Sequence, residues 1–103
     1  MEIMKVFWTN TARNQLEDIF EYYKENAGLK FSKELILKLI DRTIQLEKNP
    51  FSGAKEPLLK ERVTEYRYLV EGNYKIIYWI EGNYINIASI FDCRQNPKKI
   101  KNI

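Results

Sequence analysis

The tetrapeptide Glu-Gly-Asn-Tyr occurs twice, as Glu71-Gly72-Asn73-Tyr74 and again as Glu81-Gly82-Asn83-Tyr84. Each copy stands between runs rich in β-branched and aromatic residues. Gly-Asn in that setting signals a two-residue hairpin loop, because glycine supplies the positive φ that a type II′ turn needs at its first central position. Two such loops in series predict a three-stranded antiparallel meander beginning near Tyr66 and ending near Asp92. They also set its register: Tyr74 faces Glu71, and Glu81 faces Tyr84.

Strict alternation then sorts the meander into two faces. One collects Leu69, Tyr74, Ile76, Tyr78, Ile80, Ile85, Ile87, Ser89 and Phe91, an almost wholly apolar set suited to lying beneath helices. Arg67 shares that parity as a misfit, and either reaches the rim or signals a different register. The other face collects Tyr66, Tyr68, Val70, Lys75, Ile77, Trp79, Tyr84, Asn86, Ala88, Ile90 and Asp92, with Arg94 continuing the parity. This face is too apolar for plain solvent and too polar for a core. A partner is expected on it; the alternatives are cover by the chain termini or by a second copy.

Upstream, Ile3 to Trp8 reads as a strand. Thr9-Asn10-Thr11 offers helix caps, and Ala12, Leu16, Ile19, Phe20 and Tyr23 follow at helical spacing. Asn26-Ala27-Gly28 ends that helix. A second helix, from about Leu29 to Lys48, carries the stripe Phe31, Leu35, Ile36, Leu39, Ile40, Thr43 and Leu46, and Asn49-Pro50 stops it. The short link predicts an antiparallel helix hairpin lying on the sheet as one unit. Phe51 to Thr64 reads as an ordered loop with one helical turn near Pro57 to Lys60. Pro97 opens a short terminal helix. The whole is one α+β domain, 1–103.

The excess charge is local. Residues 1–53 carry eight basic and eight acidic side chains, and residues 54–103 carry nine basic and six acidic ones. Arg94, Lys98, Lys99 and Lys101 fall together with no acid among them, which suggests an anionic partner, nucleic acid or acidic protein, unless the run is simply solvated. The chain has no histidine, so the commonest general base and metal ligand is missing. Neither a metal nor a cofactor is expected. A single cysteine, Cys93, excludes an internal disulfide and suits a reducing cytoplasm, where Cys93 reads as a small apolar filler. No apolar run nears a membrane span, and Met1-Glu2-Ile3-Met4-Lys5 has no signal-peptide pattern.

The order strand, helix hairpin, loop, meander, basic tail meets specific residues. Trp8-Thr9 leads into Ala12, Leu16, Ile19 and Tyr23; Asn49-Pro50 and Gly53 follow. Then come Arg67-x-Leu69-Val70-x-Gly72-x-Tyr74-x-Ile76-x-Tyr78 and the strand ending Asp92-Cys93-Arg94-Gln95-Asn96-Pro97. This resembles the RelE/ParE superfamily, the toxins of bacterial type II toxin–antitoxin modules. The resemblance implies an N-terminal strand and an antiparallel helix hairpin packed on one face of an antiparallel sheet that the meander completes. It implies a growth inhibitor neutralised by a cognate acidic antitoxin, and leaves open a homodimer or a toxin–antitoxin hetero-oligomer.

Two activities diverge within that family. A RelE-like member is a ribosome-dependent, metal-independent mRNA endoribonuclease, and the matching catalytic positions are Arg67, Lys75 and Arg94, with Glu65, Tyr66 or Tyr68 as base. Leu69 and Ile100 depart from that pattern, where a second lysine and a late tyrosine can occur. A ParE-like member inhibits DNA gyrase by binding, without chemistry. The Pro50-x-x-Gly53 step and the Arg67 hairpin look closer to this branch. An inactive or non-toxic binding module of the same fold is the third reading. The residues expected to meet target or antitoxin are Tyr66, Tyr68, Lys75, Trp79, Tyr84, Asn86, Asp92, Arg94, Lys98 and Lys99.

Overall fold

The computed structural model describes residues 3–103. A strand β1 (Lys5–Trp8) leads into helix α1 (Asn10–Ala27) and helix α2 (Leu29–Gln45). A two-residue strand β2 (Ala54–Lys55) and a 3₁₀ turn (Pro57–Leu59) precede the meander β3 (Tyr66–Glu71), β4 (Tyr74–Glu81) and β5 (Tyr84–Asp92). A final 3₁₀ helix spans Pro97–Asn102. No described helix is long and apolar enough to cross a membrane.

Both hairpins form at the two Gly-Asn steps. Gly72 and Gly82 take φ of 58° and 59°, while no described non-glycine residue has positive φ, as a II′ loop requires. Glu71 faces Tyr74, and Glu81 faces Tyr84. The sheet order is β1-β5-β4-β3-β2. The meander and β2 are antiparallel, but β1 runs parallel to β5, so the completed sheet is mixed. The helix hairpin and the strands β2 to β4 all lie between β1 and β5 in the chain, the long connection that a parallel pairing demands.

Thr9 caps α1: its hydroxyl accepts from the Ala12 N–H at 3.2 Å and donates to the Ile87 carbonyl at 2.7 Å. Gly28, at φ 95°, separates the helices. Ala12, Leu39 and Leu46 are fully buried against Leu69, Tyr74, Ile76, Tyr78, Ile85 and Ile87, with Leu16, Ile19, Tyr23, Leu35 and Ile36 packed around them. Phe31 departs from its predicted stripe. It is 49% exposed and lies against Tyr23 at 5.5 Å between ring centroids.

The predicted faces hold up to Ile87 and then reverse. β4 and β5 shift register between Ile77 and Tyr78: Ile77 faces Ser89 while Tyr78 faces Ile87, which leaves Ala88 as an extra residue. This β-bulge inverts the alternation downstream. Ile90, expected on the far face, joins the core beneath the helices, and Phe91, expected beneath them, packs on the far face. Ser89, also assigned to the helix side, faces far-face Ile77. Asp92 follows Ile90 to the helix side, and Arg94 goes with it. Gln15 of α1 serves the bulge: its Oε1 accepts from the Ile90 N–H at 2.7 Å and the Ser89 hydroxyl at 3.1 Å.

The far face is covered at its centre by the chain itself. Ile77, Ala88 and Phe91 are buried with Leu59 of the 57–59 turn and Ile100 of the terminal helix, and Leu58 and Ile103 pack alongside. The broad partner-binding face expected there is therefore narrower. Cys93 is exposed rather than filling the core.

Candidate functional site

The residues singled out in the sequence fall in separate regions. On the far face, Tyr66, Tyr68 and Trp79 are half-buried and pack around the second core, with Tyr66 and Trp79 meeting edge to face at 5.8 Å. Beyond the cover, cross-strand pairing lines up Trp79, Asn86 and Phe7 in one row, and Tyr84 with Lys5 in the next. Phe7 and Tyr84 are each 53% exposed. This open strip is what remains of the expected aromatic surface, and Phe7 is an addition to it.

On the helix side, the bulge delivers Asp92 and Arg94 to an open cleft of about 460 Å³ between α1 and the end of β5, lined also by Gln15, Tyr22, Tyr23 and Tyr74. Arg94 grips Asp92 with Nε at 3.0 Å and Nη2 at 2.8 Å, and Nη2 also donates to the Tyr23 hydroxyl at 3.3 Å. The Arg94 hydrogen bonds hold the Asp92 carboxyl below its usual range, against a smaller opposing effect of burial. Asp92, and next Tyr23, push the guanidinium further up. Burial first, and then the neighbouring Tyr23 hydroxyl, raises the Tyr74 phenol.

Lys75 leaves the opposite face. Its ammonium lies 2.9 Å from Glu56 Oε2 and 4.1 Å from the centre of the Tyr68 ring. The Glu56 side chain is fully buried and its Oε1 accepts from the Leu58 N–H at 3.3 Å. Arg67 sits opposite Tyr78 at the rim of the helix side. It donates to the Gly53 and Phe51 carbonyls at 2.8 and 3.3 Å and lies over the Phe51 ring, which pins the loop after α2. Its Nε is buried without a partner.

The three cations are thus held apart. Lys75 points away from the face used by Arg67 and Arg94. Arg67 pairs with Tyr78, whereas Arg94 lies two residues past Asp92, which pairs with Tyr74, a row about 13 Å away along the strand. Each already has a partner. Glu65, named as a base, is exposed, and its hydrogen bond with Lys55 holds its carboxyl below the usual range, which weakens it as a proton acceptor. Lys98 and Lys99 stand exposed on the terminal helix. Among the described residues, no group of three or more His, Cys, Asp or Glu side chains could hold a metal ion.

Residues 6–97 match the family model of the ParE toxin of the type II toxin–antitoxin system parDE. The chain belongs to the ParE toxin family. The fold agrees: a chain from the chromosomal ParDE toxin–antitoxin system of P. aeruginosa superposes with a TM-score of 0.72 at 21% identity, covering 87% of this chain and 96% of that one. No curated protein matches the sequence.

Two parts of this ParE-family chain escaped the sequence reading. Helical spacing places Tyr23 on the core stripe, yet its hydroxyl meets Arg94; a tyrosine at the last position of an apolar stripe is the signal, since its polar tip needs a partner. Glu56 carried no role, although its place before Pro57 is that of a helix cap, and its carboxylate does accept from the Leu58 N–H.

Proposed function

We propose that this ParE-family chain inhibits growth by binding DNA gyrase and is neutralised by a cognate antitoxin. The observation that carries the binding mode is the dispersal of Arg67, Lys75 and Arg94. Cleavage of RNA by its own 2′-hydroxyl needs a base, an acid and cations converging on one phosphate. Here the cations leave two faces of the sheet and are separately occupied, and Glu65 is a weakened base. Binding requires no such convergence. The open strip of Phe7, Trp79, Tyr84 and Asn86 and the Arg94 cleft are the surfaces available for target and antitoxin.

The test is production of the chain alone and together with the acidic protein encoded beside it. Growth arrest relieved by that neighbour, with gyrase-dependent DNA breaks and intact mRNA, is the expected result. Codon-spaced mRNA cuts on translating ribosomes would replace this reading by the ribonuclease one. Arg94→Ala weakens the arrest; full toxicity of a folded variant removes Arg94 from the site.

A further inference from the structure

The terminal helix follows 3₁₀ geometry, with three residues per turn, so that residues i and i+3 lie one above the other. Ile100 and Ile103 fall on one ridge, and both pack into the far-face core. Lys98 and Lys101 therefore share a second ridge, about 6 Å apart along the axis. Lys99 stands on the third, with its ammonium 3.4 Å from Gln95 Oε1. The 57–59 turn packs beside this helix and brings Lys60 and Arg62. Arg62 donates to the Lys101 carbonyl at 2.7 Å and to the Ile103 carbonyl, which locks the two segments together. Lys60 and Lys101 line a common depression, in which Glu61 is the one acid. None of Lys60, Lys98, Lys99 and Lys101 forms an ion pair among the described residues; of the 17 Lys and Arg side chains, Arg42, Lys55, Arg67, Lys75 and Arg94 do.

Four ammonium groups without an ion-pair partner, with Leu59, Ile100 and Ile103 turned inward, suit an array of phosphates better than an amphipathic protein segment. Such a segment needs an apolar groove, and here Ile100, Ile103 and Leu59 are already spent on the core. The nearest aromatics, Tyr66, Tyr68 and Trp79, are half-buried and offer no stacking platform beside the lysines, which disfavours single strands. The geometry points to a contact between this patch and the sugar–phosphate backbone of duplex DNA, independent of base sequence. The contact rests on the gyrase reading for its setting, since a gyrase-bound toxin sits beside the enzyme's duplex substrate. It is nevertheless a property of the isolated chain.

The experiment titrates the purified full chain into a labelled mixed-sequence duplex of about two helical turns and follows polarisation as salt varies. Four phosphate contacts give a log–log salt slope of about −3.6, or about 150-fold weaker binding at 200 than at 50 mM salt. Lys98→Gln/Lys101→Gln halves the slope to about −1.8 and leaves the thermal midpoint unchanged, because both side chains point outward. A slope near zero, or an unaltered slope in the folded double variant, overturns the proposal. So does tighter binding of poly-glutamate at matched charge, which would assign the patch to an acidic protein. Gyrase inhibition without duplex binding sinks this inference alone; duplex binding without gyrase inhibition sinks the gyrase reading and leaves the patch.

Discussion

Lys75→Met removes the counter-charge of a carboxylate that has no access to water. Glu56 is fully buried at its side chain, and Lys75 Nζ is its ion-pair partner at 2.9 Å. Taking one partner from a buried pair costs about 3–5 kcal/mol, because the remaining charge stays desolvated and uncompensated. Lys75 is itself 21% exposed, and Glu56 keeps its Leu58 N–H, so the low end applies, about 3 kcal/mol. A domain of this size has about 5–15 kcal/mol in total, so the loss is a large share. It lowers the thermal midpoint by about 12–24 °C. In urea the midpoint falls by about 1.5 M if the slope is near 2 kcal/mol/M. The double variant Glu56→Gln/Lys75→Met removes both charges while keeping an acceptor for Leu58, and returns to within about 1 kcal/mol of the parent. Urea unfolding followed by circular dichroism reads all three proteins. A Lys75→Met midpoint equal to the parent's would refute the argument that the pair is a unit.

Three further outcomes follow from the loop and the cleft. Tyr78→Phe strands the Pro50 carbonyl and the Gly53 N–H, which the buried hydroxyl serves at 2.8 and 3.0 Å, and loses about 1–3 kcal/mol in the same unfolding assay. Gly53→Ala sets a methyl group 2.5 Å from the Tyr78 hydroxyl and 2.8 Å from the Tyr68 carbonyl, and overpacking costs about 1–3 kcal/mol, read as a lowered thermal midpoint. The Asp92 carboxyl is depressed in the folded chain, so its pairing with Arg94 stabilises above the ordinary value of 3.8 and is lost as pH falls through the folded value. Asp92→Asn is accordingly less stable than the parent at neutral pH, by under about 1 kcal/mol for so exposed a pair, and the gap closes once the pH falls through the depressed folded value.

The local signals carried the fold a long way. Two Gly-Asn steps dictated both hairpins and their register, and Thr9, Gly28 and Pro97 marked element ends that the structure keeps. What alternation alone could not deliver was the second half of β5. There the branched residues run Ile85, Ile87, Ile90, an even step followed by an odd one, across the small pair Ala88-Ser89. That break in period is the trace of the bulge, and treating the strand as uniform put Ile90, Asp92 and Arg94 on the wrong side. The cover on the far face was harder to foresee. It depends on two irregular segments, 57–59 and 97–102, meeting over the sheet, and sequence periodicity does not report contacts between segments so distant. Lys75 and Arg67 read as free cations for the same reason, because their partners Glu56, Phe51 and Gly53 lie in the loop whose path carried no period.

The seating of β1 beside β5, in parallel, has a bearing on how the molecule comes into being. Lys5 waits for Tyr84 and Trp8 for Ile87, so the residues of β1 cannot find their neighbours until the chain through Ile87 has been synthesised. Closure of so long a loop delays assembly and keeps every nascent intermediate short of a finished sheet. A protein built this way completes its sheet only when its last strand arrives to seat its first.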